Sequence, residues 1–221
     1  MAIETEQIRI APPGRPIVLV IGVAAMVVAM TAGLWWSALV WLLLGVAVYL
    51  LRDPVRVTTS APLALVSPVD GRVYSVGAAS DPYLRREAFL IRMRMNRRGA
   101  YVIRSPIEGK VFEQWFASGT PQSVVETGRP AEAGAARCRA VWIKTDEGDD
   151  ITLVMHPGCR LCRPRFRIAT GERVGHGQRC GFLLGGAALV DIFVPSSSRL
   201  DCSAGDPVLA GSTIVSTLVH K

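Results

Sequence analysis

The longest apolar block comes early: no residue from Ile17 to Leu51 carries a charge, with Arg15 before the block and Arg52 and Arg56 after it. A single straight helix of that length would run roughly 52 Å at about 1.5 Å per residue, against a hydrocarbon core of about 30 Å. Near its middle the block is broken by Thr31, Gly33, Trp35, Trp36 and Ser37, small and polar residues beside interface-seeking aromatics. The pattern predicts a transmembrane helical hairpin over residues 16–51, with one strongly tilted helix as the alternative. Arginines on both flanks place both ends, including the 1–15 tail, on the cytoplasmic side.

Beyond Asp53-Pro54 the period changes from helical to alternating. Phe89, Ile91, Met93 and Met95 alternate with Leu90, Arg92, Arg94 and Asn96, as on a strand with one buried face. Similar runs are Lys110 to Phe116, Ala140 to Thr145, Ile151 to Met155, Leu189 to Val194 and Thr213 to Val219, separated by Gly, Pro, Asp and Ser. Residues 52–221 therefore read as one all-β domain. Ala117 to Arg137 is rich in Gly, Ala, Ser and Pro without a period, and reads as a long loop.

Two internal repeats organise this domain. Ser67-Pro68-Val69-Asp70-Gly71-Arg72-Val73 recurs as Ser105-Pro106-Ile107-Glu108-Gly109-Lys110-Val111. Gly171-Glu172-Arg173-Val174-Gly175-His176-Gly177 recurs as Gly205-Asp206-Pro207-Val208-Leu209-Ala210-Gly211. In each unit Pro and Gly set a turn that feeds a strand, and the acid can accept backbone N–H groups inside the turn. Such paired units resemble the flattened, interlocked β-barrels of biotinyl and lipoyl carrier domains. The expected fold is thus an all-β, carrier-domain-like barrel or sandwich behind the hairpin. A carrier needs an exposed lysine at a hairpin tip, whereas Lys110 and Lys144 fall inside strands, so carrier function is disfavoured.

Composition supports this division. Half the residues are apolar, mean hydropathy is +0.31 and only 19% are charged, which excludes a disordered chain and points to lipid for part of it. The net charge of +7 falls beyond residue 51, because Arg9 and Arg15 are balanced by Glu4 and Glu6. A basic domain behind a membrane segment suits anionic headgroups, and no nucleic-acid-binding pattern is present. Five cysteines make an odd count and speak against a disulfide framework. Cys159 and Cys162 have metal-ligand spacing but lack the second pair of a zinc ribbon, so reduced thiols are expected and no metal.

The order of the hairpin, Leu51-Arg52-Asp53-Pro54, Ser67-Pro68-Val69-Asp70-Gly71, Arg104-Ser105-Pro106-Ile107-Glu108-Gly109-Lys110-Val111, Gly177-Gln178-Arg179-Cys180-Gly181 and Val190-Asp191-Ile192-Phe193-Val194-Pro195 resembles a phosphatidylserine decarboxylase of the short bacterial type. The resemblance implies an integral inner-membrane protein that cuts itself at a Gly-Ser bond. The serine becomes a pyruvoyl group, which forms a Schiff base with phosphatidylserine and drives decarboxylation to phosphatidylethanolamine. It also implies a histidine that activates the serine and an aspartate that orients the histidine.

Carried over residue by residue, the resemblance puts the aspartate at Asp70, which on its own residues reads equally as a turn acid like Glu108. The histidine position is Tyr101, a phenol with pKa near 10 and a poor base at neutral pH. The cleavage loop is Leu184-Gly185-Gly186-Ala187-Ala188-Leu189, so Ala187 or Ala188 takes the serine position. Alanine has no oxygen for the acyl shift. The family's Asn-Glu-Arg element has no counterpart around Ala135 to Arg139, and His156, His176, His220, Cys180 and Ser196 are out of register. The three histidines read as structural or solvated.

Arg163, Arg165 and Arg167 alternate, with Arg160 nearby, so on a strand they form a stripe for phosphate or anionic headgroups. The stripe reads equally as a charge-protected edge strand, with Pro164 fitting an edge. The expected protein is a decarboxylase-like pseudoenzyme, without a pyruvoyl cofactor, that binds lipid or regulates a partner, with a protein partner or a homo-oligomer as its assembly. The competing expectations are an active, pyruvoyl-bearing enzyme with an unrecognised nucleophile, and a structural membrane adaptor.

Overall fold

A computed structural model describes residues 8–10, 15–32, 34–50, 52–54, 61–96, 101–118, 137–157, 165–183 and 188–219. The chain forms two units, Met1–Val55 and Arg56–Lys221. In the first, β1 (Ile8–Ile10) is followed by α1 (Arg15–Ala32), α2 (Leu34–Leu50) and β2 (Arg52–Pro54). β1 pairs antiparallel with β2, Ile8 opposite Pro54, and α1 packs on α2, so the apolar block does fold back on itself.

The expected spans need correction. No helix among the described residues is long and apolar enough to cross a membrane. α1 has 18 residues and α2 has 17, roughly 27 and 26 Å at about 1.5 Å per residue. The break after Ala32 divides the block into two helices that are each short of a bilayer core.

The second unit holds β3 (Ala64–Val66), β4 (Gly71–Asp81), β5 (Arg86–Met95), β6 (Val102–Arg104), β7 (Gly109–Ser118), β8 (Arg137–Lys144) and β9 (Asp150–His156). It continues with β10 (Arg165–Phe166), β11 (Arg173–Val174), β12 (Arg179–Phe182), β13 (Leu189–Pro195), β14 (Arg199–Leu200), β15 (Pro207–Val208) and β16 (Ile214–Thr217). All-β is what the alternating runs call for. Ala117, Ser118 and Arg137, expected in the long loop, extend β7 and β8, because cross-strand pairing through Ser118 and Arg137 supplies partners that composition does not reveal. The rest of that loop lies outside the described residues.

The sheets are arranged as two equivalent halves. One eight-stranded sheet runs β11-β7-β8-β9-β13-β5-β4-β15, and two three-stranded sheets run β10-β12-β6 and β14-β16-β3. Exchanging β3, β4, β5, β13, β14, β15 and β16 for β6, β7, β8, β9, β10, β11 and β12 reproduces every order, with the pseudo-twofold between β9 and β13. The irregularities repeat too: β4–β5 shifts register between Val73 and Ser75, and β7–β8 between Val111 and Glu113.

The sequence repeats are the hinges of this symmetry. Ser67 Oγ donates to the Val69 carbonyl at 2.7 Å and Ser105 Oγ to the Ile107 carbonyl at 2.6 Å, fixing the same turn twice. The two turns then interlock, Val66 N–H donating to Pro106 O and Arg104 N–H to Pro68 O. The second repeat closes over the first: Gly177 N–H bonds Ser105 O and Gly211 N–H bonds Ser67 O, while Val111 and Val73 donate to Glu172 O and Asp206 O. Gly71 and Gly109 are required because a Cβ there would run into the carbonyl oxygens of Arg94 and Lys144.

The alternation on β5 holds, with Ile91, Met93 and Met95 buried beside Ile192, Leu153, Met155, Val141 and Ile143. The opposite face of the same strands buries a second cluster, Ala88, Ala140, Val154 and Phe193, with Tyr83, Leu90 and Trp115 against it. Four polar side chains continue this second face, and they carry the chemistry described next.

Candidate functional site

Backbone hydrogen bonds place three of the expected site residues. Asn96 N–H donates to Asp70 O, Met95 N–H to Ala188 O, and Leu183 N–H to Tyr101 O. Asp70 and Ala188 thus lie at the end of β5, while Tyr101 is paired with Leu183. Gly185, Gly186 and Ala187 lie outside the described residues. Ala188 is buried and contributes a methyl group. Tyr101 is also buried, and burial pushes its phenol pKa up from 10, further from a base usable at neutral pH.

Asp70 Oδ1 accepts the Ala210 N–H at 2.8 Å, as a turn acid would. Arg165 and Arg167 are exposed on and beside edge strand β10, while Arg160 and Arg163 lie outside the described residues. Arg165 sits near Arg139, whose pKa is lowered by burial and then by the Arg165 charge. Arg139 lies over the Phe116 ring at 4.0 Å, and Phe116 is 64% exposed. Among the described residues, Cys138, Cys180 and Cys202 are thiols, and no group of three or more His, Cys, Asp or Glu could hold a metal.

The concentrated chemistry lies one strand position from the loop. His156 is the register partner of Leu189, the residue after Ala188. Its Nε2 lies 3.1 Å from Asp191 Oδ2 and its Nδ1 lies 3.2 Å from Cys138 Sγ. Arg92 closes the other side of Asp191, Nε donating to Oδ1 and Nη2 to Oδ2, both at 2.7 Å. Four adjacent strands, β8, β9, β13 and β5, supply one residue each. Arg92 is opposite Asp191 in the ladder, and the imidazole reaches that carboxylate along the diagonal between Leu189 and Asp191. His156, read as structural or solvated from sequence, is the centre of this chain.

Electrostatics follow the geometry. Burial pushes Asp191 toward neutrality, but the bonds from Arg92 and His156 outweigh it and hold the carboxyl below its ordinary range. The Asp191 bond also raises the Arg92 pKa. Burial would lower His156, yet the bonds to Asp191 and Cys138 raise it to about 9, so the ring keeps a proton at neutral pH. A cysteine, a histidine and an aspartate in line are the parts of a nucleophile, its base and an orienting group. Nothing in local spacing signals the set. The one sequence clue was parity: Arg92 is a charged residue on a strand whose neighbours alternate into a core.

Comparison with known proteins agrees with the order of motifs. The phosphatidylserine decarboxylase family model matches residues 43–216, from within α2 to β16. A phosphatidylserine decarboxylase proenzyme of Nitrosomonas eutropha is 34% identical over 206 residues, covering 93% of this chain and 94% of the relative. The proenzyme of Nitrosomonas europaea is 32% identical with the same coverage, and that of Aromatoleum aromaticum is 31% identical over 95% of each chain. No solved structure matches.

Proposed function

We propose, because this chain belongs to the phosphatidylserine decarboxylase family, that it acts in phospholipid metabolism as a lipid-binding member without decarboxylase activity. The reading is carried by one observation: the cleavage loop from Leu184 to Leu189 contains only Leu, Gly and Ala. A pyruvoyl group made from the chain needs a side-chain heteroatom that first attacks the preceding carbonyl and then leaves. Ala188, buried with its carbonyl bonded to Met95, offers neither. The residues present do not fit that cofactor, and Tyr101 in place of the family's histidine argues in the same direction.

Lipid contact is supported by two surfaces, each on its own unit. The hairpin displays Leu19, Val20, Val23, Met26, Leu39 and Leu42, with Met30 81% and Trp35 93% exposed. An apolar surface of this extent suits insertion into a bilayer rather than water. On the β unit, Arg139 lies over exposed Phe116, and Arg165 and Arg167 are exposed on and beside β10, groups that can lay a ring among acyl chains and guanidinium groups on phosphates. The protein then resides at the bacterial inner membrane, its β domain on the cytoplasmic face and bound to anionic phospholipid.

Mass spectrometry of the purified full-length chain tests the central claim. An intact polypeptide without a carbonyl-blocked fragment is expected, together with no carbon dioxide release from phosphatidylserine vesicles. Two fragments, the smaller blocked by a pyruvoyl group, would overturn it.

A further inference from the structure

The Arg92–Asp191–His156–Cys138 chain has no part in lipid contact or in the family's chemistry as carried over above. Its charges are uneven: Arg92 and protonated His156 bracket one carboxylate, Asp191, and the member that could supply a second negative charge is the sulfur at 3.2 Å from Nδ1. A cysteine in such an electropositive setting is reactive toward any reagent small enough to reach it. The other described thiols are shifted by burial and carboxylates, not by an imidazole. Burial pushes Cys180 up to about 12, and burial with Asp206 and Asp201 pushes Cys202 up to about 11.

A second observation points to what reaches the sulfur. The Tyr83 hydroxyl is closed off from solvent and has no hydrogen-bond partner among the described residues. Burial, and then the charges of Cys138, Asp81 and Asp191, raise its pKa to about 12, so it is a proton donor within reach of this cluster's field. A buried donor without a protein acceptor is the kind of group that a small polar molecule satisfies. Cys138 is 1% exposed, which shuts out bulky reagents, whereas the His156 side chain is 16% exposed and gives the cluster an edge to solvent.

We propose that Cys138 is a peroxide-reactive cysteine, activated by His156, oriented through Asp191 and Arg92, with hydroperoxides as its substrate class. The sulfur anion attacks the nearer peroxide oxygen; the S–O bond forms as the O–O bond breaks. Sulfur is oxidised by two electrons to a sulfenic acid, and the peroxide is reduced to water or an alcohol. The departing oxygen takes the Nδ1 proton of His156. The source is either hydrogen peroxide from water or a lipid hydroperoxide from a bilayer, and the burial of Cys138 favours the smaller molecule.

The test treats the full-length chain with hydrogen peroxide, or with vesicles containing phosphatidylcholine hydroperoxide, then at timed intervals unfolds it in denaturant containing dimedone to trap sulfenic acid, and maps the labelled peptides. Label at Cys138 at least tenfold faster than at Cys180 and Cys202 is expected, more with hydrogen peroxide than with the lipid peroxide. The opposite preference would support the membrane as source, and label with neither would overturn the proposal. H156Q should slow Cys138 at least tenfold while leaving Cys180 and Cys202 unchanged; an unchanged Cys138 rate would overturn it. Should H156Q fold poorly, the pH profile of the unaltered protein decides. A Cys138 rate that stays at least tenfold above those of Cys180 and Cys202 from pH 6 to 8 supports the activated sulfur, and a rate no faster than theirs refutes it.

Discussion

Asp70 and Glu108 hold the same place in the two halves of the β domain, yet Asp70 is buried against the Ala210 N–H and Glu108 is exposed. The backbone around them is duplicated; the use of the carboxylate is not. Asp70→Ala should therefore cost about 1.5–3 kcal/mol, the range for a hydrogen bond to a charged group. Glu108→Ala should stay within about 0.5 kcal/mol. Urea unfolding of the two variants measures the difference, and equal losses would remove the turn role assigned to Asp70.

The equivalent glycines predict the reverse pattern, equal effects. Gly71→Ala and Gly109→Ala each force a methyl group into a backbone carbonyl oxygen of the neighbouring strand. Because backbone cannot swing aside, each should lose at least about 1–3 kcal/mol. Thermal unfolding that left either variant unchanged would contradict the interlocked turns.

Removing one partner of the buried ion chain strands the other. Arg92→Leu and Asp191→Leu should each destabilise by about 3–5 kcal/mol, and the double substitution by well under the sum. A double-mutant cycle reads this directly. Additive losses would mean that the bidentate contact contributes no coupling.

The pH dependence of stability has a definite sign. His156, facing Asp191 at Nε2 and Cys138 at Nδ1 with Arg92 beyond the carboxylate, has its pKa raised from 6.5 to about 9. Its contribution is complete below pH 6.5 and is lost as pH rises through about 9. Asp191, held below its ordinary 3.8, contributes above that value and loses its contribution as pH falls. Stability should thus be greatest between about pH 4 and 6.5 for this cluster, and H156Q should flatten the alkaline decline. An alkaline decline identical in both proteins would dissociate it from His156.

Lipid contact through the basic face predicts binding to vesicles containing anionic lipid that weakens with salt. Replacing Arg165 and Arg167 with Gln should cost about 1 kcal/mol of binding for each charge removed. Cosedimentation at two ionic strengths checks it, and binding indifferent to both salt and the substitutions would leave the stripe as edge-strand protection.

Much of the architecture was legible because it was written locally. A seven-residue turn unit repeated twice, with the same serine and glycine, dictates two copies of one backbone, and an apolar block broken at Thr31 to Ser37 dictates two helices. Strand parity likewise separated Ile91, Met93 and Met95 from Arg92 and Arg94. The hairpin's reach was overestimated because an uncharged block does not reveal how many residues its turn will use.

What sequence alone determined is therefore the family's motif order, the all-β class, the paired turns and a run from Leu184 to Leu189 without a side-chain hydroxyl. What only tertiary structure decided is the meeting of Arg92, Cys138, His156 and Asp191. Arg92 and Asp191 are 99 positions apart, and Cys138 and His156 are 18 apart. Parity tells which face a strand residue takes, but its neighbour on that face is set by strand order and register. Those are fixed by long-range pairing about the pseudo-twofold, and they decide whether a cysteine stands alone or beside an imidazole.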